Sequence, residues 1–250
     1  MRKLKISCVS YTNSLPYIYG IQKFAEPGKF ELSIDNPAEC YNKLASGQID
    51  IGLVPVVGLK RIDQAQIISN YCIGSRYKVK SVILCSRNKP ENLERIYLDY
   101  QSRTSVELVK VLARNHWKIS PEFIPAEHGF ENILPDERTG LVIIGDRCFP
   151  YYKKNLMITD LAQSWFEYAR KPFVFACWMS TTHLDNAIIK TFNAVLEKCI
   201  ESIPEVIKSY KKHFKQLDIE PKEYYYKNIN YKLDKSSHEG LELFLNLLHK

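Results

Sequence analysis

Phe173-Val-Phe-Ala-Cys-Trp-Met179, introduced by Pro172, is the most hydrophobic strand-like run in the chain. All seven residues are apolar, the pattern of a strand covered on both faces rather than the alternation of a half-exposed one. Before it lie two series in which short strands alternate with helical segments. After it the pattern is helical. This order predicts a first α/β lobe over residues 1–87, a second over 88–172, and a return strand with C-terminal helices of the first lobe over 173–250. The alternation points to an α/β fold with mainly parallel sheets. Two lobes joined by two crossings place a ligand in the cleft between them, where strand ends and helix N-termini converge.

The first series opens with Ile6 to Val9, an apolar strand entered from Arg2, Lys3 and Lys5. The polar cluster Ser10-Tyr-Thr-Asn-Ser14 follows at once, and Pro16 then starts a helix. Strand, polar turn and helix N-terminus set unpaired backbone N–H groups beside hydroxyl and amide side chains, a ready site for an anion. Asn13 and Ser14 are equally good helix caps. Phe30 to Ile34 alternates as a strand, and Pro37 starts a helix with Cys40, Leu44 and Ala45 on one face and Gly47 at its end. Asp50-Ile-Gly-Leu-Val-Pro55 is a buried strand. Residues 70–76 and 81–86 are two more, separated by the basic turn Lys78 to Lys80. The polar segment Asn88-Lys-Pro-Glu-Asn92 is the expected crossing.

In the second series Ile96 to Asp99 is a strand and Ser102 to Ser105 a turn. A helix then runs to about Asn115 with Val106, Val109, Leu112 and Ala113 inward. Glu122 to Pro125 and Leu141 to Asp146 are strands, and residues 161–170 a helix. Beyond the return strand, Ile188, Phe192, Val195, Leu196, Cys199 and Ile203 keep one face of a helix over 186–203. Leu241, Phe244, Leu245 and Leu248 do so in the last helix.

The net charge of +7 attracts anions without choosing among nucleic acid, membrane surface and small polyanion. The seven cysteines form no Cys-x-x-Cys pair and sit largely in apolar runs. They read as buried thiols in a reducing compartment. The six histidines lack His-x-x-x-His spacing, so a dedicated metal site is not expected; no cofactor is expected either. No run reaches transmembrane length and no secretory leader is evident, so a cytoplasmic protein is expected. Its oligomeric state is expected to be monomer or homodimer.

Six segments in one order carry a family resemblance: Val9-Ser-Tyr-Thr-Asn-Ser-Leu-Pro16, Asp50 to Pro55, Lys80-Ser-Val-Ile-Leu-Cys-Ser86, Ser102-Arg-Thr-Ser105, Ile144-Gly-Asp146 and Lys171-Pro-Phe-Val-Phe-Ala-Cys-Trp178. Together they resemble the chorismate dehydratases, in register from residue 4 to about 180 and more weakly to the end. The family pattern often has Leu where this chain has Thr12. The resemblance implies a two-lobed fold like the type II periplasmic binding proteins, used as an enzyme. It also implies loss of water from chorismate to give 3-[(1-carboxyvinyl)oxy]benzoate, an early step of menaquinone biosynthesis by the futalosine route.

Chorismate is a dianion, so its binding calls for anion sites. By similarity, Asn13 and Ser81 are the catalytic donors aimed at the ring carboxylate. Ser10, Tyr11, Ser14, Ser102, Arg103, Thr104, Ser105, Gly145 and Asp146 are substrate-binding. Each has a plainer reading: caps for Ser102 to Ser105, a strand-edge hydroxyl for Ser81, and orientation of backbone N–H groups for Asp146. Asp146 is the one carboxylate in these turns. The alternative base is the substrate's own enolpyruvyl carboxylate. Two relatives on the same fold compete, a small-anion binding protein and 1,4-dihydroxy-6-naphthoate synthase. The lysine- and tyrosine-rich stretch from Ser209 to Leu233 has the makings of a nucleic-acid surface. Its aromatics at helical spacing read instead as core, with the lysines solvated, and no nucleic-acid or membrane partner is expected.

Overall fold

The computed structural model describes residues 3–248, and Arg2 of the basic lead-in lies outside them. Eleven strands are described: β1 Leu4–Val9, β2 Phe30–Asp35, β3 Ile51–Pro55, β4 Gln66–Ser75, β5 Val82–Ser86, β6 Arg95–Leu98, β7 Glu122–Pro125, β8 Thr139–Ile144, β9 Met157–Asp160, β10 Phe173–Ser180 and β11 Asn230–Lys232. They form two sheets, ordered β11-β4-β10-β3-β1-β2 and β7-β6-β8-β5-β9.

The return strand behaves as its composition dictates. All eight residues of β10 are buried, and it pairs antiparallel with β3 on one side and β4 on the other. Trp178 projects from it between Tyr17 and Phe192, at centroid distances of 5.4 and 5.1 Å, both edge-on. Those rings come from the helices Leu15–Phe24 and Asn186–Glu201. The two helices approach closely at Gly20, where a Cβ would fall 2.4 Å from Cys199 Sγ.

Three expectations are corrected. First, the sheets are mixed rather than mainly parallel. Among the described residues β1 pairs parallel with β2 and β3, and β6 with β7 and β8, whereas the pairings of β10, β4, β11, β5 and β9 are antiparallel. A strand that crosses between sheets and a strand that returns run against the βαβ units they join. Second, the strand over 81–86 belongs to the second sheet, paired with β8 and β9. The first crossing therefore lies at residues 76–81, not at 88–92, and the first sheet's opening part ends well before residue 87. Both strands flanking the crossing are apolar, and hydrophobicity does not say which sheet a strand joins. Third, the chain after β10 is not wholly helical, because Asn230–Lys232 adds an edge strand to β4. The helix expected over 186–203 also breaks at Ser202, where Pro204 starts a new one over Ile203–Ser209.

Asp160 fixes the first crossing. Its Oδ1 accepts the N–H of Val79 at 3.3 Å and caps the helix Leu161–Ala169 through Ala162 and Gln163 at 3.0 and 3.1 Å. Its Oδ2 accepts the N–H of Lys80 at 2.7 Å. At the second crossing a Cβ on Gly240 would lie 2.1 Å from the Pro172 carbonyl oxygen, so the last helix, Lys235–Leu247, rests directly on the backbone there.

Candidate active site

A cavity opens between the two sheets. From the first sheet it takes the turn after β1 (Tyr11, Asn13, Ser14) with Val9, Pro37 and Pro55. The first crossing adds Val79, Ser81 and Val82. The second sheet adds Ser102, Thr104, Ser105, Ile144 and Gly145, and Ile73, Phe175 and Ala176 complete the wall. Among the described residues no Asp, Glu, Lys, Arg or His lines it. An anion entering this space meets hydroxyls, an amide and the starts of three helices, at residues 14–15, 37 and 104, between apolar walls. Neutral donors and helix N-termini in a dry setting are effective anion ligands because little water competes with them.

Eight of the eleven expected site residues meet here: Tyr11, Asn13, Ser14, Ser81, Ser102, Thr104, Ser105 and Gly145. Three do not line the cavity. Ser10 is exposed, with its N–H donated to the Asp35 carbonyl at 2.9 Å. Arg103 is exposed and sits over the Tyr41 ring, 5.7 Å from its centroid. Asp146 faces the Thr12 backbone, accepting its N–H at 3.0 and 3.3 Å, with His213 Nε2 4.0 Å away. Burial raises the Asp146 carboxyl above its ordinary range, and the Thr12 N–H pulls it partly back. Asp146 thus holds the turn after β1 in place rather than its own following turn.

The turns differ in what they leave available. Ser102 Oγ accepts the Ser105 N–H at 3.0 Å, and Thr104 Oγ1 donates to the Phe175 carbonyl at 3.0 Å, tying the helix Thr104–Leu112 to β10. Among the described residues the Ser105 hydroxyl has no hydrogen-bond partner. In the first turn Asn13 Oδ1 accepts the Ser14 hydroxyl at 2.9 Å, which orients the amide and leaves its Nδ2 protons to donate. Thr12, where leucine is frequent in the resembled pattern, is buried, and its hydroxyl lies 2.7 Å from His213 Nε2.

Sequence reasoning missed the groups behind the site. Three tyrosines of one C-terminal segment donate to it: Tyr225 to the Thr12 carbonyl at 3.0 Å, Tyr231 to the Asn13 carbonyl at 2.7 Å, and Tyr224 to Ser81 Oγ at 2.9 Å. Their aromatic run was legible as core, and the cluster Tyr224 to Tyr226 was the available signal. Tyr226 alone of the three is exposed. So are Lys211, Lys212, Lys215, Lys222, Lys227 and Lys232, as solvated lysines should be.

A polar bridge also spans the sheets. The Tyr11 hydroxyl donates to Gln101 Oε1, which Arg147 Nη2 also reaches at 3.2 Å. Arg147 pairs with buried Asp99 at 2.7 and 2.8 Å and with Glu131. Burial works against the Arg147 charge and is outweighed by Asp99, so the guanidinium stays firmly protonated.

Two mixed sheets with helices on their faces and a donor-bearing, largely apolar cavity between them define a periplasmic-binding-protein-like fold. Solved structures of that form agree over the whole chain. Protein AF1704 from Archaeoglobus fulgidus matches 99% of this chain and 97% of its own at a TM-score of 0.74 and 15% identity. The periplasmic aliphatic sulphonate binding protein SsuA from Escherichia coli matches 100% and 87% at 0.63 and 13%. At such identities the likeness is one of fold. Sequence carries it further, for the profile of the menaquinone biosynthesis family matches residues 4–250, and the chain belongs to that family. The chorismate dehydratase of Thermus thermophilus is 25% identical over 264 aligned residues, covering 93% of this chain and 95% of that protein.

Proposed function

We propose that this protein removes water from chorismate to give 3-[(1-carboxyvinyl)oxy]benzoate, serving menaquinone biosynthesis by the futalosine route. Family membership supports the pathway, and the relative from Thermus thermophilus supports the reaction. The observation that carries the chemistry is a cavity rich in neutral donors and free of ionisable acids and bases other than Tyr11. All seven thiols are buried and free, which supports a reducing, cytoplasmic setting. No helix among the described residues is long and apolar enough to cross a membrane.

The reaction needs a proton taken from the ring carbon that bears the enolpyruvyl ether, followed by departure of the neighbouring hydroxyl as water. The first step spreads charge through the ring diene onto the ring carboxylate. Donors aimed at that carboxylate lower the barrier because they gain strength as the charge develops. Asn13 Nδ2 and the Ser81 hydroxyl fill this role, with Ser105 and the start of the helix Thr104–Leu112 holding the second carboxylate. With Asp146 committed to the Thr12 backbone, the base is the enolpyruvyl carboxylate of the substrate itself. It takes the proton and delivers it to the leaving hydroxyl, so that one water departs and the ring becomes aromatic.

The test is incubation of purified protein with chorismate and mass spectrometry of the product. A species lighter by one water, formed at least a hundredfold more slowly by Asn13→Ala and Ser81→Ala, is the expected result. Chorismate bound but unchanged would reduce the protein to a binder, and full turnover by both variants would overturn the site.

A further inference from the structure

We infer that Tyr224 is a positioning residue that acts through Ser81, holding the Ser81 proton toward the substrate. The inference rests on the role proposed for Ser81. The Tyr224 phenol lies 2.9 Å from Ser81 Oγ, and both residues are buried. A pair of hydroxyls can bond in either direction, and the surroundings decide which. If Ser81 donated, the phenolic proton would need another acceptor, and among the described residues Tyr224 Oη has none. The phenol therefore donates and occupies a lone pair of Ser81 Oγ. Ser81 keeps one proton to place. Its other protein partner among the described residues is the Val79 carbonyl at 3.5 Å, the outer edge of a hydrogen bond. Moving that proton from so weak an acceptor to a carboxylate in the cavity loses little.

The ring has no freedom to abandon this role. Phe149 packs edge-on at 5.5 Å between centroids and Tyr225 lies at 5.7 Å. Burial holds the phenol well above its ordinary range, so it remains a neutral donor. A chain of phenol, serine hydroxyl and carboxylate polarises in one direction, which makes Ser81 a stronger donor than an isolated serine. The neighbouring phenols differ in kind. Tyr225 and Tyr231 donate to backbone carbonyls and so hold chain, not a proton.

The experiment is a double-mutant cycle on the full chain with chorismate as substrate. Tyr224→Phe should lower kcat about tenfold, the loss of one hydrogen bond's worth of transition-state stabilisation, with KM changed less than about twofold. Ser81→Ala should lower kcat by about a hundredfold. The two together should be no slower than Ser81→Ala alone, because Tyr224 then has nothing to position. Tyr225→Phe serves as comparator, and its loss should multiply with that of Ser81→Ala. Should Tyr224→Phe melt far below the parent, Tyr224→Met repeats the cycle with a core-filling side chain. If the Tyr224 and Ser81 losses multiply, Tyr224 is merely structural and the inference falls while the Ser81 assignment stands. If Ser81→Ala turns over at the parent rate, the Ser81 assignment itself falls and takes the inference with it.

Discussion

The ring of Tyr11 packs onto the backbone of Gly145 so closely that a Cβ there would fall 2.5 Å from Cε1 and 2.6 Å from Cδ1. One residue comes from the turn after β1, the other from the end of β8, so the contact joins the two sheets at the rim of the cavity. Gly145 also has φ +66°, a conformation that disfavours any side chain. Gly145→Ala should therefore destabilise the protein by about 1–3 kcal/mol and depress turnover more than stability requires. Thermal unfolding together with kcat/KM checks this. The double variant Tyr11→Ala, Gly145→Ala should lose less than the sum of the two single losses, because the clash is gone.

The Tyr11 hydroxyl and Gln101 make the neighbouring polar tie. Tyr11→Phe leaves Gln101 Oε1 with Arg147, so no buried acceptor is orphaned and stability should change by less than about 1 kcal/mol. The KM for chorismate should nonetheless rise several-fold, because a contact that favours the assembled cleft is lost. Steady-state kinetics beside a denaturant melt separate the two effects. An unchanged KM would mean the tie contributes nothing to assembly.

Asp160 gives a prediction with a definite pH sign. Burial raises its carboxyl above the ordinary 3.8, and the N–H groups of Lys80, Gln163 and Val79 pull it only partly back. A carboxyl whose folded value is raised stabilises most below 3.8, and that contribution is lost as pH climbs through the folded value. Asp160→Asn does not titrate. It also turns an amide N–H toward either Lys80 or the helix N-terminus, costing about 1–3 kcal/mol. The stability gap between parent and variant should thus be wider at pH 4 than at pH 7, read from urea melts. A gap that widens toward pH 7 would reverse the assignment.

Gly240→Ala tests the second crossing. The added methyl would meet the Pro172 carbonyl oxygen, which is backbone and cannot swing aside. A loss of about 1–3 kcal/mol is expected, as for overpacking elsewhere in well-packed interiors. The melting temperature is the readout.

How much of this was legible in the sequence depended on whether the information was local. β10 announced itself because seven successive apolar residues need cover on both faces. The polar turns after β1 and before the helix Thr104–Leu112 were legible because short turns keep their residue types together, whereas Asn13 and Ser81 entered as donors only through the family resemblance. The sheet to which residues 82–86 belong was not, since a buried apolar run such as Val82 to Cys85 fits the core of either sheet. The partnership of Tyr224 with Ser81 spans 143 residues, and no local periodicity reports a contact at that distance. Arg103, expected among the substrate-binding residues of its turn, has its guanidinium over Tyr41. Asp146 read as a possible base and faces the backbone of Thr12.

The tyrosines at 224, 225 and 231 have a consequence for how the protein comes into being. Tyr225 and Tyr231 leave the ribosome 213 and 218 residues after the turn residues they support, and Tyr224 leaves it 143 residues after Ser81. Until then the turn and Ser81 lack those hydroxyls, however well the strands behind them have paired. A chain interrupted before residue 224 lacks β11 and the helix Lys235–Leu247 as well, and has Asn13 and Ser81 without the phenols that hold them. Such a fragment should remain inert, so chemical competence in this protein arrives only after the strands that frame its cleft.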